Sequence, residues 1–209
     1  MKYKMMLTAA AAASIAVGAA ACGSSGSGPA ASSTPKTSAP AAASSSAGTA
    51  SAPFGPGCSA VPASGAGSFT GMSTAPVATA ASANPALSTL VAAVKAAGLA
   101  DTLNSASDIT VFAPDNAAFA KIPAATLKAV LANKAELTKI LTYHVTSGRL
   151  TPAQLATGTP VKTLEGSTVT PAKMGSTYEV NKSQVVCGNV QTSNATVYII
   201  STVMMPPAS

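Results

Sequence analysis

From Gly23 to Gly57 the chain is almost entirely Ala, Ser, Gly, Pro and Thr, with a single charge at Lys36 and a single ring at Phe54. Such a stretch cannot bury enough apolar surface to offset the entropy of ordering its backbone, so it is expected to be a disordered tether. Any core must therefore come from the chain downstream of Gly57, about 150 residues, an ordinary size for one domain. The 47% hydrophobic content overstates that core, because much of it is upstream alanine; aromatics make up 4% and tryptophan is absent.

The residues before the tether read as an export address. Met1-Lys2-Tyr3-Lys4 is short and positive, and Met5 to Ala21 carries no charge. That stretch falls short of the roughly 20 residues a membrane span needs and suits the apolar middle of a signal peptide. Ala19-Ala20-Ala21 before Cys22 resembles the lipobox of bacterial lipoproteins. The resemblance implies a diacylglycerol on Cys22, cleavage before it, and an acyl chain such as palmitate on the new amino terminus. Lipoboxes usually carry leucine where this chain has Ala19, and Ala19-x-Ala21 also fits ordinary signal cleavage, so plain secretion is the alternative. The expected organisation is a signal peptide over 1–21, a lipid-anchored linker over 22–57 and a domain over 58–209. The protein would sit at the outer face of the cytoplasmic membrane or in the cell wall. Linker composition fits a bare spacer or an O-glycosylated stalk, with a typical reach of about 30–35 Å that proline lengthens.

The chain has three cysteines. If Cys22 carries lipid, Cys58 and Cys187 remain for an oxidising compartment, either bridged or as two unrelated buried thiols. A bridge would close a loop of roughly 130 residues and stabilise by about 4–5 kcal/mol in the chain-entropy model. The formal net charge is +6, and removing Lys2 and Lys4 with the signal leaves +4. The other basic residues are scattered singly, without interleaved aromatics, which excludes the stripe that nucleic-acid binding needs.

Within the domain, helices are expected first and strands later, an α+β arrangement. Pro76 opens a helical pattern that stops at Gly98, and Leu99 to Asn104 adds a short turn. Ile109 to Phe112 reads as a strand ended by Pro114-Asp115-Asn116, with a short helix after it. Pro123 begins another helix, and Asn133 with Glu136 forms a capping box for the next. Tyr143-His144-Val145 reads as extended, with a turn at Gly148. Thr151-Pro152 opens one more helical turn. Pro160–Leu164 and Ser167–Pro171 flank Glu165-Gly166 as a hairpin. Further strands are expected at Tyr178–Asn181, Gln184–Cys187, Asn189–Thr192 and Ala195–Met204.

Three of these segments carry a family resemblance. Thr110-Val111-Phe112-Ala113-Pro114-Asp115-Asn116-Ala117-Ala118-Phe119, then Leu141-Thr142-Tyr143-His144-Val145 with Gly148, then Ala195-Thr196-Val197-Tyr198-Ile199-Ile200 running to Pro206-Pro207, resemble the ordered boxes of the fasciclin domain. The resemblance spans roughly Gly67 to Ala208 and implies a wedge of β-strands packed with several helices. Gly71-Met72, Val186-Cys187-Gly188 and Asn194-Ala195-Thr196-Val197-Tyr198 are similar to the mycobacterial secreted and lipid-anchored members. That group implies a disulfide between Cys58 and Cys187. Ser201 departs from the Asp that the family often places there. Adhesive members imply a binding role for Tyr143 and His144.

Independent chemical motifs are few. His144 is the only histidine, and no Gly-x-Ser-x-Gly elbow presents a nucleophile to it. One histidine, six acidic residues without close pairing and two cysteines do not form a zinc shell or a glycosidase pair. Asp115-Asn116 fits backbone capping better than calcium. Asn181-Lys182-Ser183 and Asn194-Ala195-Thr196 match a glycosylation pattern but read as turns. No cofactor is expected. The expectation is a non-enzymatic envelope lipoprotein whose domain binds an extracellular protein or glycan. An envelope hydrolase, a small-molecule carrier and a wall protein without a tight partner are the alternatives.

Overall fold

The computed structural model describes residues 52–207; the expected signal segment, the lipidation site Cys22 and the tether as far as Ser51 lie outside the described residues. Among the described residues the helices are α1 (Phe69–Ser73), α2 (Val77–Ser82), α3 (Ser88–Ala97), α4 (Ala100–Ser105), α5 (Asn116–Ala120), α6 (Ala124–Ala132), α7 (Lys134–Tyr143) and α8 (Pro152–Ala156). The strands are β1 (Ile109–Pro114), β2 (Val145–Ser147), β3 (Val161–Lys162), β4 (Thr168–Val169), β5 (Pro171–Met174), β6 (Thr177–Val180), β7 (Ser183–Gln191) and β8 (Ala195–Ile200). The domain is α+β, helices leading and strands closing.

Local chemistry sets most helix ends. Asp115 accepts the Ala118 N–H, and Asn133 accepts the Glu136 N–H, so each opens its helix by satisfying an orphan donor. Thr151 and Gln154 form a full reciprocal capping box at α8. Gly98 ends α3 at φ 73°, a left-handed conformation that glycine adopts without a Cβ clash. Pro76 stands one residue before α2 rather than as its first helical residue.

The main sheet runs β2-β1-β8-β7-β6-β5, and β3 pairs with β4 as a separate hairpin. β8 lies between β1, which it meets in parallel, and β7, which it meets antiparallel. Both β1 and β8 are buried along their full length. Side chains alternate between faces, so Val111, Ala113, Val197 and Ile199 join the core shared with α2, α3 and α7. Phe112, Tyr198 and Ile200 point to a second core with Leu155, Val169 and Val180. Burial on both faces is why these strands are continuous apolar runs rather than alternating ones.

Four expectations are corrected. Tyr143 is the last residue of α7 and His144 its C-cap at φ −82°, so the extended segment begins only at Val145. The His144 N–H still bonds the Ile140 and Leu141 carbonyls, and that local bonding outweighs aromatic strand preference. Gln184–Cys187 and Asn189–Gln191 belong to one strand, β7, which ends before Thr192; its register shifts around Cys187 and its Asn189 adopts φ 59°. β8 ends at Ile200, short of Met204. The boundary placed at Gly57 moves upstream: the Phe54 N–H donates to Gly188 O at 3.1 Å, and the Gly188 N–H returns to Phe54 O at 2.7 Å. The Phe54 ring occupies the space that a side chain on residue 188 would need, 4.9 Å from the Tyr178 ring centroid. Cys58 is bonded to Cys187 beside it.

Candidate functional site

The end of α7 places Tyr143 and His144 at the seam between the two cores. Leu137, Ile140 and Leu141 bury one face of the helix in the first core, and Tyr143 turns into the second. Tyr143 is 3% exposed. Its hydroxyl accepts from Asn181 Nδ2 at 2.7 Å and faces the Thr168 carbonyl at 3.4 Å. Burial pushes the phenol pKa up; the Asn181 bond opposes this, and the Glu165 charge adds to it. Asn181 is itself held at φ 47°, its Oδ1 accepting the Thr170 N–H.

His144 is 2% exposed. Its Nε2 accepts the Met204 N–H at 3.0 Å, and Nδ1 lies 2.8 Å from the Ile140 carbonyl. A backbone amide can only donate and a carbonyl can only accept, so the ring is neutral with its proton on Nδ1. The histidine clips the segment after β8 to α7. A proton on Nε2 would break the Met204 bond and place a charge in an apolar interior. Desolvation lowers the pKa to about 4, against a smaller opposing effect of the Ile140 bond.

This depression has a measurable consequence. Above the unfolded value of 6.5 the ring is neutral in both states. As pH falls, the unfolded chain takes up a proton that the native chain refuses. The stabilisation is complete above about pH 6.5 and is lost as pH falls through about 4, in total about 3 kcal/mol. About 2 kcal/mol of it should be gone by pH 5. His144 is the only histidine, so urea unfolding between pH 7 and 5 isolates it from the carboxylates. A flat profile over that window would contradict the buried neutral ring; His144→Gln should abolish the slope.

His144 also borders two apolar cavities. One of about 50 Å3 lies between α2, α3, α4 and the sheet, and one of about 20 Å3 lies between α6, α7 and the Val203–Met205 segment. Both imidazole nitrogens are already committed, and no serine or carboxylate lies within hydrogen-bond distance of either. Among the described residues no group of three or more His, Cys, Asp or Glu side chains is placed to hold a metal. Asp115 is used as a helix cap, as its position in the sequence suggests. Both glycosylation-like asparagines are turn residues with committed amides: Asn194 Nδ2 donates to the Leu103 and Ala106 carbonyls at 2.8 and 2.7 Å. At Ser201, where the family often has Asp, the backbone carbonyl accepts from Lys121 Nζ at 2.7 Å.

Arg149 was not singled out by sequence reasoning. Its guanidinium donates to Asp108, to the Gln191 side chain and to the carbonyls of Thr192, Ser193 and Ala195. It locks the β2–α8 connection onto the β7–β8 turn. The only available signal was that it is the chain's sole arginine, next to the turn glycine Gly148.

The chain is similar to known proteins. The family profile described as the fasciclin domain matches residues 85–206. The immunogenic protein MPB70 of Mycobacterium bovis is 49% identical over 162 residues, covering 74% of this chain and 82% of that protein. The cell surface glycolipoprotein MPB83 of the same species is 48% identical over 149 residues, covering 69% and 66%. Protein sll1483 of a Synechocystis species is 44% identical over 129 residues, covering 61% and 71%. Among solved structures, the FAS1 domain pair of the insect cell adhesion molecule fasciclin I matches with a TM-score of 0.47 at 23% identity, over 58% of this chain and 45% of that one.

Proposed function

Because this chain belongs to the fasciclin-domain family, we propose that it is exported, anchored by lipid on Cys22, and presents the domain beyond its tether to bind an extracellular protein or glycan without catalysis. The observation that carries the reading is the similarity, across the domain, to a protein named a cell surface glycolipoprotein. It is supported by the export address and by the Ala/Ser/Pro tether downstream of Cys22. The tether enters the domain at Phe54, which is pinned to Gly188 immediately before the Cys58–Cys187 bridge. No helix among the described residues is long and apolar enough to cross a membrane. In this reading the membrane is met through lipid, and nucleic acid is not a partner.

Tyr143 and His144 enter as positioning residues. Their rings are buried, so they shape a contact surface by fixing the end of α7 and the segment at Met204. The carrier alternative has its own support in the apolar cavity beside α2.

Cell fractionation with mass spectrometry tests the anchor. Wild-type protein should partition with membranes and carry an acylated Cys22 at its amino terminus. Cys22→Ala should appear in the medium or accumulate unprocessed. An unmodified Cys22 at the mature terminus would overturn the lipoprotein reading. A pull-down using residues 52–209 against envelope and host-surface extracts tests binding, and the reading fails if neither protein nor glycan is retained.

A further inference from the structure

The helix layer leaves a slot over the sheet. The cavity of about 50 Å3 has the sheet residues Val197 and Ile199 as its floor. These are buried, whereas Ala81 and Val91 on its outer side are half-buried and Lys95 is exposed, so the slot reaches the surface. It exists because α2 supplies Ala78, Ala80 and Ala81 where larger aliphatic side chains would fill the space.

Its chemistry is one-sided. The buried polar residues on its wall are already bonded within the protein. Asn84 Oδ1 accepts the Ala86 N–H, Thr192 Oγ1 exchanges bonds with Ala195, and His144 is saturated. A polar ligand would find one weakly held donor inside, Asn84 Nδ2 at 3.9 Å from the Met72 sulfur, while an alkyl group would lose only water. Lys95, in the last turn of α3, is the only charged residue lining the slot. The Lys134 side chain reaches toward Gly98 at the end of the same helix, adding a second cation on that side.

We propose that this slot binds an amphiphile with an aliphatic chain and a carboxylate head, the chain end inside and the head beside Lys95. One water needs about 10–15 Å3 of such space, so a cavity of about 50 Å3 takes roughly four heavy atoms and admits only the end of the chain. The remaining carbons lie in the mouth between α2 and α3. The site is separate from the anchor on Cys22, and its test does not depend on that reading.

The experiment uses the full chain, with methyl-labelled Val, Leu and Ile observed by NMR and melting temperature measured on the same samples. Octanoate supplies chain and anion, acetate the head alone, and octyltrimethylammonium the chain with the opposite charge. Octanoate should shift the Val91, Val197 and Ile199 methyls and raise the melting temperature, and acetate should do neither. Lys95→Glu should weaken octanoate about threefold, as expected for a charge at an exposed rim, and favour octyltrimethylammonium instead. Val91→Phe should block the slot, and Ala81→Leu provides a second block if the first does not fold. The proposal is overturned if octanoate leaves these methyls unmoved, if its shifts survive in the folded blocking variants, or if Lys95→Glu leaves the charge preference unchanged.

Discussion

Reducing the Cys58–Cys187 bridge should lower the stability of the domain by about 4–5 kcal/mol and its melting temperature by roughly 10–20 °C. The two cysteines are 129 residues apart, and every α-helix together with β1 to β6 lies inside the loop they close. Most of the effect therefore belongs to the unfolded chain, which regains the freedom that the bridge removes. The native side loses less. Cys187 is fully buried within β7, and the neighbouring Phe54–Gly188 pair keeps two backbone bonds and the ring packing whether or not the sulfurs are joined. The urea dependence of unfolding should steepen on reduction, because a chain without the bridge exposes more surface when it unfolds. Denaturation of the full chain with and without reductant, alongside a Cys58→Ser/Cys187→Ser double variant, measures both quantities. A loss below about 1 kcal/mol would mean that the reduced unfolded state is already as restricted as the bridged one.

The features legible in the sequence are those whose cause lies within a few residues. Asp115 and Asn133 mark helix starts because each side chain bonds an amide three positions on. Gly98 marks a stop because the backbone there turns left-handed. β1 and β8 are legible as apolar runs because both faces are buried. The rest depends on distant partners. The break at Gly188-Asn189 reads as the end of one strand, yet Phe54, far upstream, pairs with Gly188 and holds a bulge there. Phe54 itself is a lone ring in a low-complexity stretch, and nothing local distinguishes it from tether. Arg149 bonds carbonyls more than forty residues downstream, so its role has no local signature. At the candidate site, the pairing of a tyrosine with the sole histidine was visible, but which atoms they hold was not. His144 meets Met204 only because the chain leaves β8 at Ile200 and returns to α7. The alanines of α2 read as good helix formers, which they are, and the space they leave over the sheet becomes visible only in three dimensions.

Tyr143→Ala should cost about 3–5 kcal/mol, because it removes a large side chain from a packed interior. The ring is 3% exposed and shares its core with Phe112, Leu155, Val169, Val180 and Tyr198. Its hydroxyl satisfies Asn181, whose other amide atom holds the Thr170 N–H, so the truncation also loosens the turn between β6 and β7. Tyr143→Phe separates the two contributions. It keeps the ring and removes the hydroxyl, and it should cost about 1–2 kcal/mol as the Asn181 donor loses its acceptor. The ratio of these losses distinguishes a packing residue from a contact residue, provided that melting temperature and partner binding are measured on the same samples. For a packing residue, binding falls in proportion to the folded fraction: Tyr143→Phe loses roughly 2–8 °C of melting temperature and keeps its binding while folded, and Tyr143→Ala loses far more stability with binding falling alongside it. For a contact residue, binding collapses in Tyr143→Ala even at temperatures where that variant is fully folded. The second outcome would require the end of α7 to open on binding and expose a ring that the structure holds inside the second core, and it would overturn the assignment of Tyr143 as a positioning residue.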